Sequence, residues 1–463
     1  MTAQDLSHLP REEDKVRITP KLTVDRRRNI NQYVRQERIG KGQHGEVFLC
    51  KDQEAAGREV ALKIMKRNNP RDRIKLLRRN QQNLRGGEVP PFSSTEHSIR
   101  KEIAVMKRCR HANIARLFEV IDDPQQDKIY IGDNLGPELN SAILMLYQSA
   151  SFYLAMEYLS GGQVQWKDAE DKPILTVDET RRIIRDVVLG LEYLHHQGII
   201  HRDIKPANLL WTKDRAIVKI IDFGVSHYSP TSELTPGSKQ PEDPSDDGLF
   251  HDSDLLKRSG TPSFLAPEIV WFSDTTLKQS PAASCDTLAS GSNSVTIRDG
   301  SCIPPQRPPI TKAIDVWSLA VTLYCLLFGH TPFNVPESAN ENIYHNEFVL
   351  YNQICTRDWD VEETMGVDRV YTGGKYPRDT ESEGFMVISL LDQMLQKDPN
   401  KRVTVSEVKR NPWILRGVSE PNEWIIRTSP PITKDSSSFV SRWRQASLKM
   451  LNNLPRPRRI PGL

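Results

Sequence analysis

The sequence predicts an α+β chain in two lobes, a small β-rich lobe followed by a larger α-helical one, with disordered insertions and tails. Three observations carry this. Strand-like alternation crowds the early part: Tyr33–Gly40, Val47–Lys51 and Arg58–Lys66 combine β-branched and apolar residues, with glycines between them. Helical spacing dominates later, first in Ser98–Arg110 (Ile99, Ile103, Met106), then in Thr180–His196, Ala313–Phe328 and Glu383–Gln396. Hydrophobic residues make up 37% of the 463, enough for a core, while 31 prolines point to sizeable irregular segments.

Bulk properties exclude several function classes. A formal net charge of +3 is too small to argue for nucleic-acid binding. The six cysteines (Cys50, Cys109, Cys285, Cys302, Cys325, Cys355) are scattered without a CxxC pair, which favours reduced thiols over a disulfide framework or a zinc site. The N-terminus, MTAQDLSHLPREEDKVRITP, lacks the apolar run of a signal peptide. The most apolar stretch, Val316 to Phe328, is too short to cross a bilayer, so no membrane span is expected.

Residues 1–32 are polar and basic without periodicity and read as a loose arm. Four segments interrupt the order that follows. Residues 67–96 are basic, with Gly-Gly and Pro-Pro; 229–257 are acidic and rich in Ser and Pro; 273–310 are rich in Ser, Thr and Pro. Long structureless loops are usually functional or disordered, and these three read as excursions. The fourth, 131–151, has no such compositional account. Tyr130-Ile131 and Tyr153-Leu154 both look like the start of one strand, so the segment is either an insertion or an error in the derived sequence.

Gly40-Lys41-Gly42-Gln43-His44-Gly45-Glu46-Val47 is GxGxxGxV between two strands. Glycines at Gly40, Gly42 and Gly45 would let backbone amides approach phosphate oxygens, although a plain hairpin fits the same pattern. Lys63 ends the next strand, Val60-Ala61-Leu62-Lys63. By itself such a lysine reaches for solvent. Its functional reading is a cation on nucleotide phosphates, held by a helix carboxylate. Glu102 is the best candidate, and Glu37 and Glu59 are less well placed. Downstream stand His201-Arg202-Asp203-Ile204-Lys205-Pro206-Ala207-Asn208 and Ile221-Asp222-Phe223-Gly224. Asp222 and the Asn208 carbonyl offer hard oxygen ligands that suit Mg²⁺. Ala266-Pro267-Glu268 follows, with Arg402 as an ion-pair partner, and Asp315 is placed to brace the loop from a core helix.

Glycine loop, strand Lys, helix Glu, HRD, DFG and APE in this order resemble the eukaryotic protein kinase catalytic domain, over about 33–414 with the four inserts set aside. The resemblance implies ATP and Mg²⁺ as cofactors. It implies that Asp203 orients the substrate hydroxyl and accepts its proton, that Lys205 steadies the transferring phosphoryl group, and that Asn208 and Asp222 hold metal. Lys63 with Glu102 would anchor the nucleotide. Val47, Ala61 and Leu210 would stack on adenine, the backbone of Glu157 and Leu159 would read its edge, and Met156 would gate the pocket behind. Lys205 two residues after Asp203, with Thr261 bridging the two, marks the serine/threonine branch.

RKEIAVMKRCRHANIARLFEVIDDP, EYLSGGQVQWKD, GTPSFLAPE and KAIDVWSLAVTLYCLLFG resemble the calcium/calmodulin-dependent protein kinase kinases and the fungal kinases that activate the AMP-activated kinase homologue. Another kinase is then the implied protein substrate, and the cytoplasm the implied location; the alternatives are a calmodulin-regulated serine/threonine kinase with broader substrates and a non-catalytic scaffold with a kinase fold. Positions where arginine-directed kinases carry carboxylates hold Gln163, Ala207 and Cys325, so no strong demand for upstream arginine is expected. Ser253, Ser259 and Thr235 are candidate phosphate acceptors that Arg202 could clamp. Residues 415–463 form a tail. Within it, 437–452 would make a basic helix with Phe439, Trp443, Met450 and Leu451 roughly on one side. That helix suits calmodulin, the chain's own lobe, or a weak membrane or partner contact.

Overall fold

The computed structural model describes residues 15–25, 29–41, 45–67, 94–123, 151–229, 248–271, 307–335 and 343–430. The chain is α+β. Its first part builds one six-stranded sheet from β1 (Arg17–Thr19), β2 (Tyr33–Lys41), β3 (Gly45–Asp52), β4 (Arg58–Lys66), β5 (Leu117–Ile121) and β6 (Ser151–Glu157), in the order β1-β5-β6-β4-β3-β2. Among the described residues of this sheet, only the β1–β5 strand pairing is parallel. One helix, α1 (Ser94–Arg108), packs on this sheet.

Strand alternation decides what faces the cleft. Val60 and Leu62 of β4 join a small cluster with Ile30, Tyr33, Phe48, Cys50, Ile121 and Ala155. Ala61 and Lys63 therefore emerge on the other face. Gly45 is required by the sheet itself: a Cβ there would lie 1.8 Å from the Ile64 carbonyl oxygen.

The second part is helical. β7 (Gly162–Gln163) leads to α2 (Val177–His196), started by a capping box in which Thr176 and Glu179 bond each other's backbone N–H. Short strands β8 (Ile199–Ile200), β9 (Leu209–Trp211), β10 (Val218–Ile220) and β11 (His227–Tyr228) carry the loops of the site between them. α3 (Ala313–Phe328) is buried from Ile314 onward, which explains a sequence apolar on every side. Gly329, at φ 81°, closes it with a left-handed cap. α4 (Ile343–Thr356), α5 (Glu383–Met394), α6 (Val405–Lys409), α7 (Pro412–Leu415) and α8 (Pro421–Thr428) complete this part. Among the described residues no helix is long and apolar enough to cross a membrane.

Three expectations are corrected. Part of the loose arm is seated: Arg17–Thr19 form β1, and the cause is Glu119. This carboxylate is almost wholly buried and needs donors. Arg17 Nη2 (2.6 Å), Gln32 Nε2 (2.7 Å), Tyr33 Oη (2.5 Å) and Thr19 Oγ1 all donate to it. Burial pushes its pKa up, but these bonds more than offset that and hold it below the usual value. The start of the tail also packs: the buried Lys409 Nζ donates to Glu192 (2.7 Å) and Ser429 (3.0 Å) and lies 5.6 Å from the Trp424 ring of α8. Finally, residues 248–257 of the acidic excursion fold against α1 and the HRD loop. Of the two candidate starts for the interrupted strand, Tyr153-Leu154 lies in β6. Residues 124–150, Gly42, Thr235 and 431–463 lie outside the described residues.

Candidate functional site

Lys63 and Glu102 meet as expected. Lys63 Nζ donates to Glu102 Oε1 at 2.5 Å, with Glu102 3% exposed and Lys63 largely enclosed. Burial pushes the Lys63 ammonium towards neutrality, but Glu102 and Asp222 more than offset this, and its pKa is raised. Asp222 thus stands in the field of the same lysine. It sits at φ 66° in the left-handed region, rare for a residue with a side chain, and its carboxylate is exposed. Phe223 beside it is buried edge-on against His201, centroids 5.1 Å apart.

The HRD loop converges from the opposite side. Asp203 Oδ1 accepts from Thr261 N (2.9 Å) and Thr261 Oγ1 (2.8 Å), and Oδ2 lies 2.8 Å from Lys205 Nζ. Lys205 Nζ also donates to Thr261 Oγ1 at 2.6 Å. Burial raises the Asp203 pKa, but these partners more than offset it, leaving the carboxylate below its ordinary value. Asn208 Nδ2 donates to Asp203 O (2.8 Å) and Oδ2 (3.1 Å), which leaves Asn208 Oδ1 available as an acceptor.

Two buried acids brace the loop. Asp315, 0% exposed on α3, accepts from the backbone N–H of His201 (2.9 Å) and Arg202 (2.7 Å) and lies 2.9 Å from His195 Nε2. Glu268 forms a bidentate pair with Arg402 at 2.7 and 3.0 Å. His201, which the sequence reading quoted but gave no role, links the two motifs. Its Nδ1 accepts from Asp203 N (3.3 Å), and its Nε2 lies 3.2 Å from Ile221 O.

Most of the remaining predicted residues sit on paired strands of two sheets. Gly40 pairs with Val47, Val47 with Lys63, and Ala61 with Met156. Leu210 pairs with Gln163. Glu157 N–H is already bonded to Arg116 O (2.9 Å) and Leu159 O to Gly162 N–H (3.2 Å). The groups these bonds do not use are the Glu157 carbonyl and the Leu159 N–H.

This fold and this site define a phosphotransferase class, and the chain belongs to the protein kinase family: residues 33–297 and 301–414 match the protein kinase domain. It is 37% identical to serine/threonine-protein kinase ssp1 of Schizosaccharomyces pombe, over 87% of this chain and 46% of that protein. It is 32% identical to SNF1-activating kinase 1 of Saccharomyces cerevisiae, over 89% of this chain and 31% of that protein. It is 31% identical to serine/threonine-protein kinase TOS3 of Saccharomyces cerevisiae, over 93% of this chain and 63% of that protein. The chain therefore spans less than two thirds of each of these relatives.

Proposed function

We propose that this chain is an ATP- and Mg²⁺-dependent serine/threonine protein kinase that phosphorylates the activation-loop threonine of another kinase. The observation that carries the reading is the meeting of Lys63–Glu102, Asp222 and the Asp203–Lys205–Thr261 triangle. Phosphoryl transfer needs alignment and charge neutralisation more than covalent chemistry, and these groups supply both. Lys63 holds the nucleotide phosphates. Asp203 takes the substrate hydroxyl in line and accepts its proton. Lys205, bonded to both Asp203 and Thr261, neutralises charge on the moving group.

The donors fit Mg²⁺, which binds few protein oxygens and keeps water and phosphate ligands. Asp222 offers an exposed carboxylate and Asn208 an amide oxygen. Among the described residues no cluster of three or more His, Cys, Asp or Glu could hold a metal. When bound, it would neutralise phosphate charge.

One relative's name states that it activates SNF1. That, with the sequence resemblance, supports a kinase as substrate. The test is incubation with ATP, Mg²⁺ and a catalytically dead AMP-activated-type kinase domain. Label should appear on its activation-loop threonine and vanish with Asp222→Asn. Equal labelling by that variant would overturn the reading. The calmodulin site expected at 437–452 falls outside the described residues, and repeating the assay with calcium and calmodulin tests it.

A further inference from the structure

The segment between the DFG and APE motifs carries an acid that the mechanism above leaves unused. Asp254 lies in a 3₁₀ turn, Asp252–Leu256. One carboxylate oxygen is bonded by Lys101 Nζ, from 153 residues away, and the other accepts from Lys257 Nζ at 2.5 Å. The same turn binds the HRD loop through its backbone. Arg202 Nη1 donates to Asp254 O (3.1 Å) and Nη2 to Lys257 O (2.7 Å). A single turn therefore holds α1 and the catalytic loop together.

Lys101 is the neighbour of Glu102. Successive helix residues are about 100° apart, so α1 sends one side chain to Asp254 and the next to Lys63. The pair is not a solvated surface contact, since Lys101 and Asp254 are 14% and 13% exposed. Aromatic contacts run alongside it. Lys101 Nζ lies 5.5 Å from the Phe250 ring, and Phe250 meets Tyr228 edge-on. Arg108, at the other end of α1, stacks 4.8 Å over Tyr228. The two lysines, against the push of partial burial, hold Asp254 well below the usual carboxylate range, so it stays ionised.

We infer that Asp254 is a positioning residue: through Lys101 it sets α1 so that Glu102 reaches Lys63, and through the turn it shares with Arg202 it couples that setting to Asp203. This rests on the kinase reading above. The link needs no covalent modification, because the charge is encoded in the chain.

The test uses the full chain. Asp254→Asn should lower kcat on the order of tenfold, as expected for losing a coupled charge pair, with KM for the protein substrate little changed. Hydrogen exchange across Ser94–Arg108 should rise. Lys101→Met should behave alike, and Asp254→Glu should retain much of the rate. The inference is overturned if Asp254→Asn leaves kcat and α1 exchange at wild-type values. Should Asp254→Asn fail to fold, Lys101→Met decides by the same two readouts. If the unaltered chain phosphorylates nothing, the kinase reading has failed, while α1 exchange still reports on Asp254.

Discussion

Two ion pairs bridge distant parts of this chain, and their difference separates function from architecture. Lys63–Glu102 is a single 2.5 Å contact, with the lysine 17% exposed at the cleft. Glu268–Arg402 is a fork with both side chains at 0% exposure, and Arg402 also donates to the carbonyls of Gln396 and Ala313. A lysine is a point charge on a mobile stem, so it can hold a carboxylate and still reach a phosphate. A guanidinium with its donors occupied in a closed cavity can only hold the lobe together.

Breaking each pair should therefore move a different observable. Lys63→Met should reduce phosphotransfer by roughly a thousandfold, about 4 kcal/mol in transition-state stabilisation, because it removes a charge aimed at the reacting phosphates. Its melting temperature should stay close to that of the parent. A variant that melts much earlier with its residual rate intact would put Lys63 among the structural residues instead.

Arg402→Met should do the reverse. It strands Glu268 without a counterion, and losing one partner of an enclosed pair costs about 3–5 kcal/mol of stability. Denaturant titration would show this as a lower midpoint, and the folded fraction should keep its turnover. A stability loss under about 1 kcal/mol would show that the cavity relaxes around the orphaned acid.

Asp315 tests the comparison through pH. Burial pushes its carboxyl up, but His195, His201 and the Arg202 N–H outweigh that and the pKa is depressed. A depressed folded value means stability present above the ordinary carboxylate pKa, about 4, and lost as pH falls through the lower folded value. Asp315→Asn should thus melt below the parent at neutral pH, by about 2 kcal/mol for the disturbed backbone bonds. The gap should narrow as pH drops below about 4. A gap constant down to pH 3 would mean that charge on Asp315 is irrelevant.

What the sequence showed and hid follows the same division. Strands β2, β3 and β4 were legible because alternation is local, and β4 runs over Arg58–Lys66 as its pattern predicts. Lys63, Glu102, Asp203 and Asp222 were legible because their spacing is tied to the chemistry they resemble. Asp254 was not. It sits in a stretch whose acidic, Ser- and Pro-rich composition reads as an excursion, and its partner is 153 residues away. Residues 15–25 were hidden for a similar reason. β1 is an edge strand with little apolar alternation, fixed by the buried Glu119 a hundred residues on. Local patterns reveal elements that bury their own side chains, and miss those held by one distant charge.

The smallest expected effect concerns a place where no pair exists. Gln163 and Ala207 are exposed beside the HRD loop, while Cys325 is fully buried in α3. Arginine-directed recognition requires carboxylates at such sites, and here an incoming guanidinium would meet an amide, a methyl group and a thiol out of reach. An exposed ion pair contributes about 0.2–1 kcal/mol, so even a chance acid nearby would change the rate by no more than roughly fivefold. A positional peptide library should accordingly show nearly equal phosphorylation with Arg, Ala or Gln two and three residues before the acceptor. Ala207→Glu should then introduce a preference for arginine that the parent lacks. Steep arginine selection by the unaltered chain would mean that another acidic group turns into the groove, and selectivity would have to be sought outside these three positions.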